Sequence, residues 1–119
     1  MDSVDIDEAF TVAARTFSKV AKLLDACTRG DRDKMVNMVA DIRIKMSRVA
    51  YLLQLGVRLR EYKPQGTSLE YLSGKVAFLM ASLIVELSHH LGYPGHLGLI
   101  QIQLDLLYDM LAQLSAELD

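Results

Sequence analysis

The 119-residue chain has no tryptophan, two prolines and a single cysteine. The lone thiol, Cys27, cannot close an intramolecular disulfide, so no oxidising compartment is required. With only Pro64 and Pro94 as strong breakers, long helices are permitted. A long hydrophobic run is also missing. The longest nearly unbroken one, Val76 to Val85, contains Ser82, and a bilayer span takes about 18 or more apolar residues. The acidic start, Met1 to Glu8, lacks the basic-then-apolar order of a secretory signal. A cytoplasmic protein without a membrane segment is the expectation. Period-two alternation of useful length is absent, which argues against a strand-rich fold. There is no phosphate-binding glycine loop, no nucleophile elbow and no repeat of 20 to 50 residues.

What is present is apolar and helical in period. The hydrophobic fraction is 51% and the charged fraction 24%, which fits one globular domain over residues 1–119. The first helix is expected over about 6–28. Asp5 caps it, Glu8 follows three residues on, and Ile6, Phe10, Ala13, Phe17, Val20, Leu24 and Cys27 form its seam. Gly30 ends it. The second is expected over about 32–62, with the seam Met35, Val39, Ile42, Met46, Val49, Leu53 and Gly56. At 1.5 Å per residue it would be about 45 Å long, with a kink near Gly56 as the alternative.

Lys63-Pro64-Gln65-Gly66 reads as a turn. Thr67 and Glu70 then form a capping box for a third helix over about 68–91, whose middle is apolar all round and should be buried on all sides. After a last turn at Gly92-Tyr93-Pro94-Gly95, a fourth helix follows over about 96–118, with the seam Leu97, Ile100, Leu104, Leu107, Leu111, Leu114 and Leu118. Short connections favour antiparallel neighbours. The fold class is therefore all-α, an antiparallel four-helix bundle with coiled-coil-like packing.

The pattern holds more apolar surface than one bundle needs. Leu99, Ile102, Leu106 and Met110 form a second row on the fourth helix, roughly 110° from its seam at 100° per residue. Leu52, Leu55 and Leu59 lie off the seam of the second. Patches of that size are rare on soluble monomers. These seven residues are the expected interface, with a second copy or another protein as partner.

Charge is unevenly spread. Residues 10–63 hold twelve Lys or Arg against five acids, and residues 64–119 hold one lysine against six acids. Arg15, Lys19, Lys22 and Arg29 share a stripe on the first helix. Lys34, Lys45, Arg48 and Lys63 line the second, and Arg58 and Arg60 lie near Tyr51 and Tyr62. Such a face can track phosphates, with rings to stack on bases. The alternative function is thus a subunit of a nucleoprotein complex that binds RNA or single-stranded DNA. A solvated face is the simpler reading of a charge stripe.

Catalytic chemistry is thinly represented. His89, His90 and His96 cluster around the third turn, and Glu86 with His89 makes one E-x-x-H pair. Di-iron bundles need two such pairs and further inward carboxylates, which this chain lacks. Zinc would want three or four ligands. A ferritin-like metal site is therefore the least favoured function, and no cofactor is expected. A phosphotransfer histidine would sit exposed in mid-helix before Lys and Gly, and His89-His90-Leu91-Gly92 does not fit. Cys27 reads as a small core residue rather than a nucleophile. No enzyme activity is expected.

Overall fold

The computed structural model describes residues 5–89, 91 and 97–119. Four α-helices make up the fold: α1 Ile6–Thr28, α2 Arg32–Leu52, α3 Leu69–His89 and α4 Leu97–Leu118. No strand occurs among the described residues. α1 packs against α2 and α3, and α4 packs against α3 and α2. The particle measures 45 × 26 × 18 Å.

Local chemistry sets the ends of α1 and α2. The Asp5 carboxylate accepts from the Glu8 N–H at 3.0 Å, and Asp31 accepts from the Lys34 N–H at 3.1 Å. Each satisfies a donor that the first helical turn leaves without a partner. α1 closes through Gly30, at φ +69°. There the Asp31 N–H bonds the Ala26 carbonyl at 2.9 Å and the Gly30 N–H bonds Cys27 at 3.1 Å.

The second helix is shorter than expected. It ends at Leu52 rather than near Tyr62, and by the same device as α1. The Leu55 N–H bonds the Ala50 carbonyl at 2.8 Å, the Gln54 N–H bonds Tyr51 at 3.0 Å, and Gln54 holds φ at +56°. A glutamine therefore sits in the left-handed position that glycine usually fills. Breaking the helix here lets Leu53 drop fully into the core, and Leu55 and Val57 pack against it from the side. Gly56 is consequently not on a helix seam.

The freed residues, 53–68, form a non-helical connector rather than a short turn. It follows α4. The Gln101 side-chain amide donates to the Gly56 carbonyl at 2.6 Å, Arg60 pairs with Asp109 at 3.3 Å, and the Gln65 N–H reaches the Glu117 carboxylate. From Gly56 to Gln65 an extended chain covers about 30 Å, enough for the roughly 24 Å that α4 rises between Gln101 and Glu117. Arg32, at the start of α2, also donates to the Glu117 carbonyl at 2.9 Å. At the opposite end of α2, the Asp5 N–H bonds the Leu52 carbonyl at 3.1 Å.

The cap of α3 is displaced by one residue from the expected Thr67. Ser68 precedes the helix, and its hydroxyl accepts from the Tyr71 N–H at 3.4 Å, a long bond. The T-x-x-E pattern is out of register with the backbone, so Glu70 stands one place too early to complete a capping box. The expected turn Gly92-Tyr93-Pro94-Gly95 lies outside the described residues.

The core draws on all four helices. Leu23, Met35, Ile42, Met46, Leu72, Met80, Leu83, Leu87, Ile100, Leu104 and Leu107 are fully buried. The seam expected for α2 is buried as far as Leu53, and that of α4 from Ile100 onward. On α1 the buried stripe is rotated. Ala9, Ala13, Thr16, Val20, Leu23 and Ala26 face inward, whereas Phe17 and Leu24 stay partly exposed and Phe10 and Cys27 are half-buried. α1 meets two neighbours, and small side chains let a backbone approach both closely. The larger rings are left at the margin. Thr16 satisfies its hydroxyl on the Val12 carbonyl at 2.7 Å.

Candidate interaction surface

α3 packs between α1 and α4 and is not buried on all sides. Its core face is Leu72, Val76, Met80, Leu83 and Leu87. Its outward face carries Tyr71, Phe78 and Val85, each more than half exposed. Among the described residues no fifth element covers that side. Spacing of seven puts these three residues on one stripe. Lys75 lies among them, its ammonium 5.8 Å from the Tyr71 ring and 6.0 Å from the Phe78 ring. A cation over ring faces contributes modestly and keeps one charge on an otherwise apolar surface.

On α4 the second apolar row also faces out. Leu99, Ile102 and Leu106 are 49–55% exposed. Met110 is half-buried and packs against the core. The three leucines expected to extend the patch from the second helix divide. Leu52 and Leu55 pack against the core from its edge, and Leu59 stands 75% exposed on the connector. Tyr71, Phe78 and Val85 were missed from sequence because an all-apolar helix reads as interior. Their seven-residue repeat on the side opposite Val76 and Met80 was the available signal.

The basic residues do not form one face. Lys19 is bonded to Asp41, Arg48 to Glu8 at 3.0 Å, Arg29 to Asp25 at 3.2 Å, and Arg60 to Asp109. Arg60 is pushed above its ordinary pKa, first by a hydrogen bond with Tyr62 and then by the Asp109 charge. Arg58 and Lys63 travel with the connector, away from the α1 stripe; Arg58 borders a hollow with Gln101 and Asp105. Lys22, Arg29 and Lys34 do converge. They line a cavity of about 370 Å³ between α1 and α2, floored by Ala21, Ala26 and Met38 and shared with Asp25 and Asp31. Arg15 is exposed and Lys45 half-buried on the same two helices.

Of the three histidines, His89 ends α3, and both it and Glu86 have interaction partners. His90 and His96 lie outside the described residues. Among the described residues no group of three His, Cys, Asp or Glu side chains gathers as a metal would need. Cys27 is a half-buried free thiol. By length and composition alone, Leu69–His89 is apolar enough to cross a membrane, with a third of its most apolar window buried in this fold.

The fold and surface define an all-α chain of four helices with an apolar outer face on α3 and α4. Comparison with protein-family models, with curated proteins and with solved structures finds no match to this chain.

Proposed function

We propose that this protein is a non-catalytic assembly subunit that self-associates through the outward faces of α3 and α4. One observation carries the reading. Tyr71, Phe78, Val85, Leu99, Ile102 and Leu106 all stand about half or more exposed on two helices that pack side by side. Withdrawing such side chains from water contributes roughly 1.5–3 kcal/mol each when burial is complete. A second copy offers the same face, and a two-fold pairing needs no other surface.

The helices run antiparallel in this reading, with coiled-coil-like packing. Two facts support it: the tight Arg29–Asp31 link joins α1 to α2 at one end, and the Asp5–Leu52 bond ties the other. The subunit works in the cytoplasm. A protein partner is preferred to a bilayer because α3 already buries five large side chains against its neighbours and carries a charge, Lys75, in its second turn.

Sedimentation across a wide concentration range tests the proposal. A mass that rises toward the dimer, and returns to monomer in Ile102→Asp with Leu106→Asp, is the expected result. A strict monomer at high concentration sinks it, as does flotation of the wild type with neutral vesicles.

A second reading rests on the convergence of Lys22, Arg29 and Lys34. They line one cavity, Lys22 and Lys34 form no salt bridge among the described residues, and Arg29 pairs only with exposed Asp25. Binding RNA or single-stranded DNA there would give a gel shift that weakens steeply with salt. No shift at low salt removes this alternative.

A further inference from the structure

The connector's side-chain pattern and its backbone disagree. The alternating three- and four-residue spacing of α2 does not end where α2 does. It runs from Met35 through Leu53 to Gly56, and no proline intervenes before Pro64. Gln54, Leu55, Arg58, Leu59, Arg60, Glu61 and Lys63 are all good helix formers. Yet the helix breaks after Leu52, and it does so with Gln54 in the left-handed region. That region disfavours every residue with a Cβ.

What holds the broken form is a small set of contacts. Leu53, Leu55 and Val57 rest on the core, and Gln101, Asp109 and Glu117 of α4 bond the connector at three points. Beyond Val57 it is mostly exposed. The same residues therefore have a second conformation within reach, a continuous helix from Arg32 to about Tyr62.

We infer that residues 53–62 are a hinge through which two copies of this chain exchange their α3–α4 halves. Straightening the hinge carries α3 away from the α1 and α2 of its own chain. The α1–α3 and α2–α4 packing can then re-form only against a second copy. Apart from the hinge residues Leu53, Leu55 and Val57, whose places change, such an exchange recreates the native core twice and needs no new apolar surface. This dimer is independent of the outer face of α3 and α4, which it leaves exposed.

Two substitutions bias the hinge in opposite directions. A Cβ added at Gly56 meets nothing within 4 Å, so Gly56→Ala leaves the connector undisturbed and favours the helix. Gln54→Gly relieves the left-handed strain and so favours the turn, at the loss of an interaction that Gln54 makes. Both would be made in a chain that also carries Ile102→Asp and Leu106→Asp, which blocks pairing through the outer face. Each protein would be partly unfolded with urea, refolded at high concentration, and separated by size with light scattering. Circular dichroism would then be read on each peak.

The expected result is at least about tenfold more dimer for Gly56→Ala than for Gln54→Gly. That dimer should dissociate slowly and have more helix per chain than the monomer. Equal dimer in both variants, a dimer with the monomer's helix content, or no dimer in either overturns the inference. The assembly proposal fails separately, if the wild type without hinge substitutions shows no rapid association that the two aspartates abolish.

Discussion

The outward side of α1 reads Thr11, Arg15, Ser18, Lys22, Asp25 and Arg29, while that of α3 reads Tyr71, Phe78 and Val85. α2 carries Ile44 and Tyr51, exposed among polar neighbours, and α4 resembles α3, with Leu99, Ile102 and Leu106. Both halves feed the same core, α1 and α2 mainly with alanine, valine, isoleucine and methionine and α3 and α4 mainly with leucine. They differ in what they present to water. Isolated exposed apolar residues are ordinary on any protein. Pairs seven residues apart occur in the first half too, Phe17 with Leu24 at 37% exposure and Ile44 with Tyr51 among polar neighbours. Two three-member apolar rows on packed helices, with Lys75 the only Lys or Arg in residues 64–119, set the α3–α4 half apart as the one with a surface to hide.

If that division is real, the inner and outer rows of α4 should respond by different amounts. Leu107→Ala removes a fully buried side chain and should lower the unfolding free energy by about 2–5 kcal/mol. Ile102→Ser, half exposed, should change monomer stability by no more than about 0.5 kcal/mol. Urea unfolding at low concentration measures both. Equal losses would mean that the outer row is part of the core and that the two halves do not differ. The paired change Ile102→Asp and Leu106→Asp should instead act on association. It should raise the dissociation constant of a self-associating wild type at least about tenfold, equivalent to about 1.4 kcal/mol. Sedimentation of both proteins at matched concentrations decides it. The same pair of aspartates placed at Ile44 and Tyr51 of α2 should leave association unchanged.

The same comparison explains what could be read without coordinates. The existence of four helices was legible, because three- and four-residue spacing survives wherever one face is buried and the other wet. The inner row of α4 and most of that of α2 follow from this spacing alone. α3 was misread because its apolar middle carries no periodic contrast, so inside and outside cannot be told apart by composition. α1 was misread by about half a residue step, since Phe10 and Phe17 outweigh Ala9 and Thr16 in any count of hydrophobicity. Close approach to two neighbours selects the small residues instead. The end of α2 is legible only as the alternative of a kink near Gly56, because its stop residue is Gln54, which has no reputation as a breaker. Of the candidate surface, Leu59, Leu99, Ile102 and Leu106 were named from sequence and lie exposed. The α3 stripe depended on knowing that no other described element packs outside it.

Helix starts sharpen the contrast between halves at a smaller scale. Asp31 accepts from the Lys34 N–H at 3.1 Å, and Ser68 accepts from the Tyr71 N–H at 3.4 Å. Asp31→Ala should cost about 1 kcal/mol of stability. Ser68→Ala should cost less, because hydrogen bonds weaken with length. Thermal or urea unfolding of the two variants ranks them. A reversed order would show that α3, not α2, depends on its cap.

The smallest effect, and the most specific, concerns the two helix ends that share one geometry. α1 and α2 both finish with a pair of hydrogen bonds around a residue of positive φ, Gly30 at +69° and Gln54 at +56°. Only the residue differs. A Cβ at Gly30 meets nothing within 4 Å, so Gly30→Ala introduces backbone strain without a clash and should lower stability by about 1 kcal/mol. Gln54→Gly relieves the corresponding strain. It also frees the unfolded chain, and it removes a side chain that has an interaction partner of its own, so the net gain should be about 0.5 kcal/mol. Urea unfolding under conditions where both variants stay monomeric reads the two signs directly. Opposite signs mean that the turn after α2 is a strained copy of the turn after α1, held by the leucines that follow it. If both variants are destabilised, Gln54 is fixed by its own side chain, and the second turn is built on a different principle from the first.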